Sequence, residues 1–215
     1  MGSTSVGAVS LYGRLFARVY DRAVAGTEAA GMAERRSALL ARAGGRVLEV
    51  GAGTGLNVEH YPPGVELVLS EPEAPMLDRL RARAALHDPP PAVVAAPAER
   101  LPFGDASFDT VVTTLVLCTV DDLDGALREL RRVLAPGGRL LFLEHVRAAD
   151  ARTARLQDLL EPLWRRAACG CHPNRATLAA IAAAPLELEE VEHGSVPLAP
   201  GFLRPLIAGA AVRSG

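Results

Sequence analysis

The chain of 215 residues contains no lysine, so all 23 of its Lys-plus-Arg positions are arginine. Those arginines are scattered among 25 acidic residues, for a net charge of −2, and they form no basic stripe. A nucleic-acid track needs clustered cations, so no nucleic-acid partner is expected. No apolar run has the length of a membrane span, and the N-terminus lacks a basic segment leading into an apolar one. The expectation is a cytoplasmic protein. Cysteine is scarce: Cys118, Cys169 and Cys171 are odd in number and show no framework spacing, which points to reduced thiols. Repeats and low-complexity tracts are absent too. A hydrophobic content of 49% and a mean hydropathy of +0.18 fit one globular domain with a sizeable core.

What is present is an alternation of short apolar runs with amphipathic stretches. Apolar runs at 46–50, 65–70, 92–95, 108–113, 139–144, 186–192 and 207–212 read as strands. Helical periodicity marks 9–20 and 34–42, with Gly31 between them. A short helix is expected at 56–60. Pro75 opens another, and Asp121 or Asp122 caps a third whose apolar face ends before Pro136-Gly137-Gly138. After the fifth strand, Leu156, Leu159, Leu160, Leu163, Trp164 and Ala167 line one side of a helical insertion. Such alternation implies an α/β fold, a parallel sheet with helices on both faces.

The most informative segment is VLEVGAGTG at 47–55. A strand runs into a turn whose Gly51 and Gly53 allow a sharp bend and remove side chains that would keep a ligand away. Glu71, at the end of the next apolar run, lies about 20 residues past the first glycine, where an acid holds the hydroxyls of a ribose. The third glycine of a dinucleotide fingerprint is missing, because that position is Leu56 and Gly55 comes one residue early. Glu49 would repel a pyrophosphate but suits an ammonium group. S-adenosyl-L-methionine has an ammonium, a sulfonium and a ribose, and no phosphate.

GAGTG with Glu49 and Glu71 resembles motif I of the class I S-adenosylmethionine-dependent methyltransferases. LPFGDASFDTVV (101–112) and RELRRVLAPGGRLLFLEHV (128–146) resemble the ubiquinone/menaquinone-biosynthesis type. YPPGVEL (61–67), TLVLCTVDD (114–122), EHV (144–146) and the Cys-x-Cys region resemble the methyltransferase-like 7 family of membrane-associated thiol methyltransferases. The likeness spans roughly 46–213. It implies a Rossmann-like, doubly wound sheet of seven strands, mostly parallel with strand 7 antiparallel. The single domain 1–215 then divides into capping helices (1–43), cofactor core (44–149), helical insertion as acceptor lid (150–184) and C-terminal strands (185–215). The family's hydrophobic leader is not found here; 9–42 look like the capping helices of soluble relatives.

The resemblance assigns cofactor contacts to Glu49, Gly51, Ala52, Gly53, Thr54, Gly55 and Asn57, then to Glu71, Pro72 and Met76. It continues with Ala98, Glu99, Thr114, Leu115 and Cys118. Pro97 stands where many relatives have an adenine-binding Asp, so adenine contact falls to the Ala98 backbone or Glu99. Each residue also has a plainer reading: Glu71 as a helix cap, Glu49 as a strand residue, Met76 as core, Cys118 as a small buried hydrophobe. Tyr12, Phe16, Tyr20, Trp164, Cys169, Cys171 and His172 are expected to line the acceptor pocket. Cys-x-Cys-His is too closely spaced and too short of ligands for zinc, and no metal is expected. His145, at the carboxyl edge of the sheet, is the candidate general base, against a structural role.

Methyl transfer from a sulfonium asks the protein mainly to align the acceptor and exclude water. A thiol is partly ionised near neutral pH and needs no dedicated base; a hydroxyl needs one. The lack of an obvious catalytic pair favours a small, largely apolar thiol acceptor. A quinone-type carbon, a phospholipid amine or a hydroxyl are the rivals, and a non-catalytic cofactor-binding scaffold is the alternative outside enzymes. Peripheral lipid contact through the 9–20 face also stays open.

Overall fold

The computed structural model describes residues 11–214, and of Tyr12 the backbone alone. Residues 9 and 10 of the expected first helix and the Tyr12 side chain lie outside the described residues. Helix α1 (Leu11–Thr27) leads through a wider turn (Glu28–Met32) into α2 (Ala33–Leu40). Gly31 makes the kink, with φ of 124°, a conformation that costs a residue without a Cβ little.

There follow β1 (Arg46–Val50), β2 (Glu66–Ser70), α3 (Ala74–Ala84), β3 (Ala92–Val94), β4 (Phe108–Thr114), α4 (Leu123–Val133) and β5 (Leu134–His145). The chain closes with α5 (Ala151–Ala167), α6 (Thr177–Ala183), β6 (Glu187–Ser195) and β7 (Pro205–Val212). One sheet results, in the order β3-β2-β1-β4-β5-β7-β6. β1 to β5 pair in parallel, and β7 runs antiparallel to both β5 and β6. This is the Rossmann-like, seven-stranded arrangement with strand 7 reversed.

Alternation along the strands supplies two apolar faces. Leu48, Val50, Val111, Leu140 and Phe142 pack with Ala126, Leu130 and Val133 of α4 and Ile181 of α6. Val47, Val112, Leu141 and Leu143 face Leu39 and Leu40 of α2, and Leu69 meets Leu77 and Leu80 of α3. Of the two caps expected for α4, Asp122 is the one used; its side chain accepts the Gly125 N–H.

Two local expectations need correction, and a third feature is one that the periodicity leaves open. The helix expected at 56–60 is only a short turn, Val58–His60, because Pro62 and Pro63 follow at once. β5 begins at Leu134 rather than 139, with a register shift that loops out Pro136-Gly137-Gly138 before regular pairing resumes at Arg139. The leucine face of α5 does not pack inward: Leu156, Leu159 and Leu163 are 42%, 73% and 67% exposed. The buried side belongs to Ala154 and Gln157. Gln157 donates to the carbonyls of Val146, Pro173 and Phe202 and accepts the Ala148 N–H. A side chain that ties four backbone groups outweighs the greasier face of the same helix.

Candidate active site

The carboxyl ends of β1, β2 and β4 open onto a cleft of about 540 Å³, the place where open α/β sheets bind ligands. α1 closes one side with Phe16, Tyr20 and Val24, and the end of α5 with the turn after it supplies Trp164, Cys169 and Cys171. α1 is pinned there because Asp21 accepts hydrogen bonds from Thr54 in the glycine turn and from Arg79 and Arg83 of α3.

The turn after β1 is built for close approach. Gly51 and Gly53 have φ of 65° and 60°, and a Cβ on Gly51 would lie 2.6 Å from Val116. Glu71 ties the turn to β2, its Oε2 accepting the Gly53 N–H at 2.8 Å and its Oε1 the Glu73 N–H at 2.9 Å. Burial pushes this carboxyl up against those two bonds.

Beneath the turn lies a buried polar network. Glu49 is 1% exposed and accepts from Asn57 Nδ2 at 2.9 Å and Tyr61 OH at 2.8 Å. Desolvation pushes it up to about 7, opposed by those bonds and by Arg36. Arg36, 4% exposed, binds Glu28 through Nε, and its Nη1 donates to Asn57 Oδ1 and Thr114 Oγ1 at 3.0 and 3.2 Å. Its side chain also lines the cleft.

At the far end, β4 leaves the sheet at Leu115, which has φ of 60°, a strained conformation for a residue with a Cβ. Glu144 stabilises this corner by accepting the N–H groups of Val116, Leu117 and Cys118 at 3.1, 3.0 and 3.3 Å. Burial raises Glu144 to about 7. His145 faces the cleft; its Nδ1 is buried without a hydrogen-bond partner, and burial lowers its pKa to about 4. The imidazole is neutral near pH 7.

Most of the residues singled out from the sequence come together here. Glu49, Gly51, Ala52, Gly53, Thr54, Asn57, Glu71, Pro72, Met76, Ala98, Glu99, Thr114 and Leu115 all line the cleft with His145, Phe16, Tyr20, Trp164, Cys169 and Cys171. Gly55, Cys118 and His172 are not part of its lining. Gly55 turns toward Leu80, where a Cβ would come within 2.9 Å. Cys118 is fully buried behind the wall, and His172 pairs with Glu161 at 2.7 Å. The Glu99 carboxylate accepts the N–H groups of Asp121 and Asp122, which leaves the Ala98 backbone as the freer group nearby. Arg36 and Val24 were not foreseen, since an arginine in an amphipathic helix reads like any solvated one. Among the described residues, no group of three His, Cys, Asp or Glu side chains is placed to hold a metal. No helix among them is long and apolar enough to cross a membrane.

Residues 48–142 match the family model described as a methyltransferase domain. Over 173 residues the chain is 36% identical to the human thiol S-methyltransferase TMT1A, covering 78% of this chain and 70% of that protein. It belongs to the class I S-adenosylmethionine-dependent methyltransferases. This methyltransferase is also 39% identical over 124 residues to the ubiquinone/menaquinone biosynthesis C-methyltransferase UbiE of Hahella chejuensis, covering 55% and 50% of the two chains. In fold it matches a solved methyltransferase structure from Thermotoga maritima with a TM-score of 0.69 at 21% identity, covering 94% and 98% of the chains. Its cofactor is S-adenosylmethionine. The cleft fits that molecule chemically, since its lining combines carboxylates (Glu49, Glu71) and a guanidinium (Arg36) with apolar and sulfur side chains.

Proposed function

We propose that this enzyme methylates the sulfur of a small, largely apolar thiol. The observation that carries the reading is the acceptor end of the cleft. Phe16, Leu115, Trp164 and Cys171 line the cleft together with His145, a neutral base whose pKa is held near 4 by burial. A base that weak is poorly matched to a hydroxyl near neutral pH, whereas a thiol of pKa near 8.5 is already partly ionised without help. The similarity to thiol S-methyltransferases supports the same acceptor.

S-adenosylmethionine brings a methyl group on a sulfonium, already activated for displacement. The protein's work is to grip, align and keep water out. In this reading Glu71 holds the ribose hydroxyls with the lone pairs left after it accepts two backbone N–H groups. Glu49 and Arg36 meet the ammonium and carboxylate of the amino-acid end. The Ala98 backbone, Pro72 and Met76 frame the adenine. Phe16, Tyr20 and Trp164 exclude water from the acceptor.

Labelled S-adenosylmethionine offered with alkyl thiols, phenols, amines and hydroquinones tests the acceptor. Label is expected on the alkyl thiols; transfer to a hydroquinone or phenol but to no thiol overturns the proposal. Binding with no transfer to any acceptor would instead support a scaffold. The His145→Ala variant is expected to keep thiol turnover within about 3-fold, because no base is required. A loss of about 100-fold or more would show that proton removal matters. For Glu71→Ala, loss of ribose bonds worth about 1–3 kcal/mol should weaken cofactor binding by roughly 5- to 150-fold by calorimetry. Unchanged affinity would refute the ribose role.

A further inference from the structure

Cys118 and Cys171 are 53 positions apart in the chain, yet their sulfurs lie 3.9 Å from each other, both buried. The proposed reaction uses neither thiol. Cys118 is sealed behind the wall at 0% exposure, while Cys171 forms part of the cleft lining. The two backbones are held side by side: the His172 N–H donates to the Cys118 carbonyl at 2.8 Å. Arg175 Nη1 binds the carbonyls of Leu117 and Val120 at 2.8 and 2.7 Å. The connecting turn is tight. Cys169 has φ of 46°, and Gly170 lies so close that a Cβ would meet the Thr119 carbonyl at 3.1 Å. Sulfurs in van der Waals contact on adjoining backbones need only close to about 2.05 Å to be bonded.

We propose that Cys118 and Cys171 are an oxidative modification site, a reversible disulfide driven by peroxide that disables the acceptor end of the cleft. Cys171 is the attacking sulfur. It is the one reachable through the cleft, and its thiolate is favoured by the Cys118 S–H and the nearby Trp164 N–H. The Cys171 thiolate attacks an oxygen of hydrogen peroxide, breaking the O–O bond to give a sulfenic acid and hydroxide. The Cys118 thiol, kept protonated by its contact with Cys171 and by burial, then attacks the Cys171 sulfur, its proton passing to the departing hydroxyl, which leaves as water. Two thiols give up two electrons, one peroxide takes them, and two waters leave. Bond formation draws Cys171 out of the cleft wall toward Cys118 and pulls the Cys169–Gly170 turn with it. The acceptor then loses its alignment with the methyl group, and a misplacement of about 1 Å can cost about 100-fold in rate.

The test treats the full chain with hydrogen peroxide, blocks free thiols with an alkylating agent and digests with trypsin. Cleavage after Arg100, Arg128, Arg166 and Arg175 puts Cys118 in one peptide and Cys169 with Cys171 in another. The expected product is those two peptides joined, two hydrogens lighter than their sum, and still formed in Cys169→Ser. That readout is independent of any acceptor. With whichever acceptor the panel identifies, turnover should fall about 10-fold or more on oxidation and return with dithiothreitol. In Cys171→Ser, peroxide should leave turnover at that variant's own untreated level. Absence of the joined peptides, a joined product with unchanged turnover, or equal peroxide sensitivity in Cys171→Ser would each overturn the proposal.

Discussion

Replacing Arg36 with alanine is expected to weaken S-adenosylhomocysteine binding by about 100-fold or more, while 5′-methylthioadenosine binds almost as before. The guanidinium is buried between Glu28, Asn57 and Thr114 and faces the cleft beside Glu49. Removing one partner of a buried charge network leaves the others uncompensated, at about 3–5 kcal/mol. Part of that cost falls on the fold, since Arg36 bridges α2 to the turn after β1 and to the end of β4. The ligand pair separates the two contributions. Methylthioadenosine has the ribose and adenine but no amino-acid end, so a purely structural defect would weaken both ligands alike. Equal losses for the two would therefore remove Arg36 from the carboxylate site. Arg36→Lys should recover only part of the affinity, because a point charge cannot reproduce the fork that spans Glu28, Asn57 and Thr114. Glu71→Ala is the mirror control, expected to weaken both ligands.

The contrast between Arg36 and Glu71 shows what the sequence makes legible. Glu71 is readable because its place in the cleft follows from spacing along one chain segment: a strand, a glycine turn, a second strand, an acid. The hydrogen bond from Gly53 to Glu71 is a direct product of that local pattern. The strand order and the reversed β7 are consistent with the alternation of apolar runs and the family resemblance. Arg36 is unreadable because its partners lie 8, 21 and 78 positions away. Periodicity marks it as polar on a helix and cannot say that the helix packs that side inward. The same blindness explains α5. Spacing groups its leucines on one side correctly, but only the surrounding backbone carbonyls decide that Gln157 goes inside. The Cys118–Cys171 contact is likewise long-range, and nothing in either local segment announces it.

Thermal stability of the ligand-free enzyme is expected to fall between pH 5 and pH 8, and the Glu144→Gln variant should lose much of that slope. Glu49 and Glu144 have pKa values raised to about 7 by burial, against about 4.3 for glutamate in an unfolded chain. Between those values the folded state holds protons that the unfolded state has released. Their stabilising contribution is thus complete below the unfolded pKa and disappears as pH climbs through about 7. His145 acts in the opposite sense. Its folded pKa is about 4, below the usual 6.5, so it adds stability as pH rises toward 6.5. Glu71 is shifted in the same sense as the two carboxyls and His172 in the same sense as His145, and the balance is a net decline that flattens above about pH 7 as the carboxyls ionise in the folded state too. Each carboxylate contributes roughly 1–3 kcal/mol over the window, and a domain of this size shifts by about 2–4 °C per kcal/mol. In Glu144→Gln an amide oxygen at the Oε1 position still accepts the Val116 and Leu117 N–H groups, with no charge to desolvate, and only the longer bond from the Cys118 N–H to Oε2 is given up. Its NH₂ has an acceptor at hand in Thr113 Oγ1, a buried hydroxyl without a partner of regular geometry. At pH 8 the variant should therefore match or exceed the parent in melting temperature, and at pH 5 gain nothing. A melting temperature that rises from pH 6.5 to pH 8, or a Glu144→Gln slope equal to the parent's, would show that these carboxyls are ionised in the folded protein. Cofactor binding supplies the complementary readout. An ammonium placed near Glu49 favours its ionised form, so affinity should grow as pH rises from 6 to 8 with proton release below pH 7, and Glu49→Gln should abolish that dependence.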